Sequence, residues 1–250
     1  MKEFGKVRGF YKIVKAAIPA IRKRKKLNKI KENGDNNAEK QLIAEMTHIW
    51  AEKVIDDFEV KLNVHGEENI PKEGPVVYVM NHQGYFDIFA MFALIPHQFC
   101  FVAKKEWSKI PVFKGCIEMT RGIFIDRGNP REIVKTMKQG KEYLDDGFSL
   151  AIFPEGTRSH RHEMAELKHG SFKLATRSGV PIVPVCIDGA YKVYEEKDKF
   201  VTGQTIDVFF HEPIPTADVD RAELNVIPNR VEKLFEDDLN KDGELNNCAK

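Results

Sequence analysis

This chain of 250 residues contains no apolar run long enough to cross a membrane as a helix. Spanning a bilayer requires about 20 consecutive apolar residues. The uncharged stretch 16–21 is far shorter and contains Pro19, and the stretch 88–103 is interrupted by Pro96 and His97. A secretory signal peptide is not expected, because the apolar segment behind the first lysines is short and no small-residue cleavage site follows. The sequence therefore predicts a soluble or peripheral protein that stays on the cytoplasmic side of the membrane.

Cysteine is scarce and is not arranged for metal or disulfide chemistry. The four copies show no CxxC spacing, and three of them lie in apolar stretches, which predicts buried thiols in a reducing compartment. They are Cys100, Cys116, Cys186 and Cys248. His160, His162 and His169 are also a weak ligand pattern, because no carboxylate or cysteine completes a metal shell around them. We expect neither a metal ion nor another cofactor.

The net charge of +1 conceals a strongly basic N-terminal arm. Residues 1–32 carry 12 Lys and Arg against 2 Glu, whereas the rest of the chain carries 27 Lys and Arg against 36 Asp and Glu. Apolar residues recur at helical spacing along the arm, at Phe4, Val7, Phe10, Tyr11, Val14, Ile18 and Ile21. Such an amphipathic helix favours an anionic membrane surface as its partner, and nucleic acid is not expected. The alternative is a helix that docks on its own domain with a solvated basic face.

The hydrophobic periodicity divides the chain into two regions. A second helix is expected near 38–58, so that residues 1–58 would form a two-helix amphipathic segment at the membrane. Residues 59–250 alternate short apolar strands with helical patterns, which predicts an α/β domain with a mixed, largely parallel sheet flanked by helices. Its strands are expected near 60–64, 76–81, 98–103, 122–126, 149–153, 181–187 and 205–210. Its helices are expected near 86–94, 108–119, 130–145, 167–178 and 218–239.

A His-x4-Asp pair, His82 and Asp87, directly follows the apolar run 76–80. Residues five apart lie on opposite faces of a strand and about 140° apart on a helix. The two side chains therefore meet only if a strand ends, Gly84 turns the chain and a new helix begins. A histidine held by a carboxylate can remove the proton of a hydroxyl group. The Gly-x-Ser-x-Gly motif of hydrolases that form an acyl-enzyme is missing, which disfavours a thioesterase or lipase.

Three further motifs accompany this pair. Residues 153–159, which read Phe-Pro-Glu-Gly-Thr-Arg-Ser, follow the apolar run 148–152. Two less specific blocks lie at 122–127 and 180–185. The order and spacing of the four motifs resemble the glycerolipid acyltransferase family, which includes the lysophosphatidate acyltransferases, over residues 68–190.

The resemblance implies a role for each motif. His82 would be the general base, and Asp87 would orient it. The residues that would bind a phosphate-bearing acceptor are Arg127, Glu155, Gly156, Thr157 and Arg158. Two guanidinium groups and loop amides suit a phosphate dianion. Pro184 would shape the wall of the site, and Lys105, which ends a predicted strand, is a further candidate for attracting phosphate.

The resemblance also implies an activity. The chain would move a fatty acyl group from acyl-CoA or acyl carrier protein to the sn-2 hydroxyl of 1-acyl-glycerol-3-phosphate, giving phosphatidic acid. One alternative acceptor is another lysophospholipid or a lyso-aminolipid. An alternative of another class is a non-catalytic membrane-binding module. The protein would act as a peripheral enzyme on the cytoplasmic face of the cell membrane.

Overall fold

A computed structural model describes residues 1–126 and 128–247, with the backbone alone for Val112 and for 241–247. Its main sheet has seven strands, and a separate two-stranded ribbon joins the N-terminus to the domain. The strands are β1 (Glu3–Phe4), β2 (Lys61–His65), β3 (Val77–Met80), β4 (Phe99–Lys104), β5 (Ile123–Ile125), β6 (Ser149–Ile152), β7 (Ile182–Asp188), β8 (Phe200–Val201) and β9 (Thr205–Phe210). The predicted strands are all found, with small shifts at their ends.

Four helices follow one another before β2, and most of the others lie between strands. They are α1 (Lys6–Ala16), α2 (Ile18–Arg22), α3 (Arg24–Glu32), α4 (Asn36–Asp57), α5 (Phe86–Leu94), α6 (Pro111–Met119), α7 (Pro130–Asp145), α8 (Lys173–Ser178) and α9 (Arg221–Asn247). Local sequence explains several of their starts. Asp35 accepts a hydrogen bond from the Ala38 amide at 3.0 Å and caps α4. Asn129 caps α7 by the same kind of bond, and Pro130 occupies its first turn.

The order of strands in the main sheet is β2-β9-β7-β3-β6-β4-β5. The five strands from β7 to β5 run parallel, whereas β9 is antiparallel to β7, and β2 is parallel to β9. The central strands β3, β6 and β7 are buried along their whole length, as expected where helices cover both faces of a parallel sheet. The predicted mixed, largely parallel α/β fold is confirmed.

Side chains of β3 alternate between two hydrophobic clusters, one on each face of the sheet. Tyr78 and Met80 pack in one cluster with α1, α4 and α5, whereas Val77 and Val79 pack in the other with α8 and α9. The carboxyl ends of β3, β6 and β4 meet at one edge of the sheet, where open α/β folds place their sites.

The N-terminal region differs from the predicted pair of helices, because three short helices precede the long helix α4. Ala17 and Lys23 interrupt the arm between those helices. Ile13 and Ala16 share one hydrophobic cluster with Phe58 and Phe86, so this core continues across residue 58. The division into 1–58 and 59–250 stays a prediction. No helix in the described part of the chain is both long and apolar enough to span a bilayer.

Candidate active site

Two of the predicted motifs meet because β3 and β6 are neighbours. Val79 of β3 lies opposite Ile152 of β6, so both strands end at the same edge of the sheet. The loops that follow are then joined by backbone bonds. The Ser159 amide donates to the His82 carbonyl oxygen at 2.8 Å, and the His160 amide donates to that of Gln83 at 3.2 Å.

His82 and Asp87 form the pair that the spacing predicts. The distance from His82 Nδ1 to Asp87 Oδ2 is 2.6 Å, and the Gly84 amide donates to the same oxygen at 3.0 Å. The Asp87 side chain is fully buried, whereas 16% of the His82 side chain is exposed. Because a carboxylate accepts hydrogen bonds, Nδ1 is the donor in this pair, and Nε2 is the ring nitrogen that has a lone pair in the neutral imidazole. The His82 ring is further held by stacking on Phe153, with 3.9 Å between ring centroids.

Glu155 fixes the backbone of both loops. Its Oε1 accepts from the His82 amide at 2.5 Å, and its Oε2 accepts from the Ala165 amide at 2.6 Å. Burial raises the pKa of the Glu155 carboxyl to about 7, although these two bonds favour the ionised form. Both oxygens are thus engaged with the protein, and direct contact of Glu155 with an acceptor stays a prediction.

The side-chain amides of Asn81 and Gln83, on either side of His82, anchor it to β7 and the residues that follow it. The sequence motifs did not predict these contacts. Asn81 donates to the Ile187 carbonyl oxygen at 2.8 Å and accepts from the Ile187 amide at 2.7 Å. Gln83 donates to Asp188 at 2.8 Å and accepts from the Gly189 amide at 2.9 Å. Both side chains are completely buried. The one available signal was two amide residues placed on either side of the histidine at a strand end.

Arg158 lies next to the pair. Its guanidinium group sits 3.9 Å from the centre of the Tyr85 ring, and its Nη1 donates to Glu195 at 2.7 Å. Gly156, with φ of +77°, makes the turn that brings this arginine to the site, and Thr157 is exposed beside it. A side chain at position 156 would be strained in this left-handed conformation.

An apolar cavity of about 660 Å³ opens from these residues. Its polar lining comes from His82, Thr157 and Arg158, and from Lys104, Glu106 and Thr120. Its apolar walls come mainly from α1, α5, the 105–109 turn and α6, with Phe10, Ile13, Trp50, Ile88, Phe89, Phe92, Phe101, Trp107, Phe113, Cys116 and Ile117. This combination of polar groups and extensive apolar walls suits an amphipathic ligand.

The remaining predicted site residues lie elsewhere. Lys105 is exposed, with its amine 3.6 Å from Asp126, and it lines a separate cavity, whereas Lys104 lines the cavity of His82. Pro184 is buried within β7, paired with Val79, so it lies behind the site. Arg127 is outside the described residues. The roles of these residues stay predictions.

The loop histidines do not gather metal ligands. His162 pairs with Asp188 at 2.9 Å, and its second ring nitrogen is 3.1 Å from the Leu239 carbonyl oxygen. Among the side chains that the structure describes, which end at residue 240, no three His, Cys, Asp or Glu are grouped closely enough to hold a metal ion.

These features define an α/β protein with a histidine–carboxylate pair and an arginine in the lining of one largely apolar cavity. The chain belongs to the acyltransferase family, whose match covers residues 61–188, about half of its length. His82, Asp87, Glu155 and Arg158 all lie within this match.

Named relatives extend the similarity. The chain is 33% identical over 168 residues to the chloroplastic 1-acyl-sn-glycerol-3-phosphate acyltransferase LPAT1 of Arabidopsis thaliana, covering 66% of this chain and 47% of the relative. It is 28% identical over 173 residues to the human 1-acyl-sn-glycerol-3-phosphate acyltransferase alpha, covering 69% and 61%. The chain spans about half the length of the plant and algal relatives it matches.

A solved structure shares the fold. The crystal structure of the 1-acyl-sn-glycerophosphate acyltransferase PlsC from Thermotoga maritima superimposes with a TM-score of 0.69 at 26% identity. The superposition covers 80% of this chain and 79% of that one.

Proposed function

We propose that this protein transfers a fatty acyl group from an acyl thioester, acyl-CoA or acyl carrier protein, to the sn-2 hydroxyl of 1-acyl-glycerol-3-phosphate. The observation that carries the proposal is the joint presence of His82 and Arg158 in the lining of one largely apolar cavity. The arginine suits the phosphate, the cavity suits a fatty acyl chain, and the histidine suits the hydroxyl between them.

The reaction follows from the state of His82. Its Nε2 takes the proton as the acceptor hydroxyl attacks the thioester carbonyl, and a carbon–oxygen bond forms. The buried Asp87 carboxylate stabilises the imidazolium that results. When the tetrahedral intermediate collapses, the carbon–sulfur bond breaks, and the proton passes from His82 to the leaving thiolate. The products are phosphatidic acid and the free thiol.

A purified-protein assay tests the activity. Labelled acyl-CoA and acylated carrier protein are supplied in parallel with a panel of lysophospholipids and lyso-aminolipids. We expect label in phosphatidic acid with the wild type and at least 10²-fold less with His82→Ala, the usual contribution of positioned acid–base catalysis. Transfer to a different lysolipid would reassign the acceptor. Transfer to none of them would favour the membrane-binding module.

We further propose that α1 and α2 rest on the cytoplasmic surface of an anionic membrane. The outward face of these helices exposes Val7 to 86%, Tyr11 to 64% and Ile18 to 44%. The opposite face buries Ile13 and Ala16 in the core, so the arm docks and still presents apolar groups. Exposed apolar side chains on a strongly basic segment are typical of helices that lie in the lipid interface.

Vesicle sedimentation tests this orientation. Replacing Val7, Tyr11 and Ile18 by serine leaves the buried face intact, and we expect the variant to be released from vesicles rich in anionic lipid. The matched control is Val226→Ser, which changes a residue 57% exposed on α9, a helix that packs on the other face of the sheet. Equal sedimentation of the triple variant and the control would exclude this face as the contact.

A further inference from the structure

Glu195 is a buried carboxylate at the site that lies beyond the family match. It follows the short helical turn Ala190–Val193 after β7, and its side chain is only 1% exposed. One oxygen, Oε1, accepts two hydrogen bonds, from the Tyr85 amide at 2.9 Å and from Arg158 Nη1 at 2.7 Å. Glu195 therefore contacts the arginine and the turn of the first motif at the same time.

The first consequence concerns Arg158. Glu195 holds one edge of its guanidinium group, and the Tyr85 ring covers one face at 3.9 Å. A side chain with many rotamers is thereby fixed before any ligand binds. Only one of the five N–H donors of the group is used in hydrogen bonds among the described residues, which leaves the others for an anion.

The second consequence concerns the turn between His82 and Asp87. Asp87 accepts from the Gly84 amide on one side of this turn, and Glu195 accepts from the next amide, that of Tyr85. The backbone of Gly84 also lies against Glu195, because a Cβ at this position would be 2.4 Å from Oε2. The turn between His82 and Asp87 and the arginine are thus held by one carboxylate.

We propose that Glu195 is a positioning residue that presents Arg158 to the phosphate of the acceptor and so gives the enzyme its preference for phosphorylated over uncharged acceptors. This inference rests on the proposed function. Glu195 does not touch the reacting atoms, and its effect passes through Arg158 and the Gly84–Tyr85 turn.

Two substitutions at position 195 separate the effect of its hydrogen bonds from the effect of its negative charge. Glu195→Ala removes both hydrogen bonds, whereas Glu195→Gln keeps an amide oxygen that can accept from Tyr85 and Arg158. The amide NH₂ then replaces Oε2, which has no hydrogen-bond partner in the described part of the chain. The exposed neighbour Glu196 supplies the control, Glu196→Ala.

The measured quantity is the ratio of kcat/KM for 1-acyl-glycerol-3-phosphate to that for 1-acylglycerol, which lacks the phosphate. We expect Glu195→Ala to lower this ratio about 10-fold or more through the KM for the phosphorylated acceptor, with the KM for the acyl donor nearly unchanged. Glu195→Gln should retain most of the ratio, and Glu196→Ala all of it. Equal losses on both acceptors, or no loss, would overturn the positioning role.

A binding measurement keeps this test separate from the proposed activity. Affinities for the two acceptors are determined by calorimetry without an acyl donor, with circular dichroism to confirm that each variant is folded. Glu195→Ala should weaken binding of the phosphorylated acceptor alone, and Glu195→Gln should restore it. An unchanged difference between the two affinities would refute the inference even if acyl transfer is observed. A wild type that binds selectively but transfers nothing would refute the proposed function instead.

Discussion

Replacing Asp87 by asparagine separates the effect of the negative charge in the His82–Asp87 pair from the effect of the pair's geometry. The amide of Gly84 and Nδ1 of His82 both donate to Oδ2 of Asp87. Asparagine must keep its carbonyl oxygen at that point, because an NH₂ group there would face the backbone amide of Gly84, which can only donate. Its NH₂ then takes the place of Oδ1, which is buried and has no hydrogen-bond partner among the described residues. Asp87→Asn therefore preserves the tautomer of His82 and removes only the negative charge.

The size of the effect follows from that charge. At an effective dielectric constant of about 20, two unit charges about 4 Å apart interact by about 4 kcal/mol. In the proposed reaction this interaction exists only after His82 has taken the proton, so it stabilises the transition state and not the free enzyme. Because 1.36 kcal/mol changes a rate tenfold, kcat should fall by up to about 10³-fold. The KM values for both substrates should change little.

The assay is acyl transfer to a short-chain, water-soluble acceptor, which separates chemistry from membrane binding. The matched control is Asp238→Asn, which changes another buried carboxylate that pairs with a histidine, His211, at 2.7 Å. Asp238 lies on α9, and its replacement should leave kcat nearly intact. If Asp87→Asn keeps more than a tenth of the wild-type kcat while remaining folded, a histidine base assisted by Asp87 is not the mechanism.

Three further predictions concern binding, stability and chain length. Arg158→Ala should weaken the affinity for the phosphorylated acceptor by about 1.5–3 kcal/mol and spare the acyl donor, whereas replacing the exposed Arg161 by alanine should change neither in the same kinetic assay. Burial raises the pKa of Glu195 from its ordinary value of 4.5 to about 7. Protonation of this carboxyl therefore contributes folding stability that is fully present below pH 4.5 and is lost as the pH rises through 7. Because the glutamine of the variant Glu195→Gln does not titrate, the unfolding free energy of the variant minus that of the wild type should increase between pH 5 and 8, by about 3 kcal/mol at most. Urea titrations measure this difference, and a difference that stays constant with pH would contradict the prediction. Cys116→Phe should fill part of the apolar cavity and shift acyl-chain preference toward shorter chains, and an unchanged chain-length profile would show that the acyl chain does not occupy this wall.

Local patterns predicted the elements of the fold well. Helices at 86–94 and 130–145 have the bounds that the periodicity indicates, and the strand–turn–helix around His82 follows from the His-x4-Asp spacing. These features depend on residues close together in the chain. The same holds for Gly156, whose left-handed turn is set by its own backbone.

Other features depend on which strands are neighbours, and this is not visible in a single sequence. Three side chains form hydrogen bonds with partners 105 or more residues away in the chain, because β7 lies beside β3. They are Asn81, Gln83 and Glu195. Lys105 shows that a shift of one residue decides which side of the sheet a side chain faces. The adjacent Lys104 lines the cavity of His82, whereas Lys105 lines another, since successive residues at a strand end point to opposite sides.

The side-chain hydrogen bonds that hold the loops after β3 and β6 affect how the protein unfolds locally. Loops normally belong to the least stable part of a structure and exchange their amide hydrogens readily. Here the amide of His82 donates to buried Glu155, and Asn81 bonds the backbone of β7 on the other side. These loops can therefore open only together with the central strands. Their amide hydrogens should exchange as slowly as those of the sheet, and His82 and the core should then unfold as one cooperative unit.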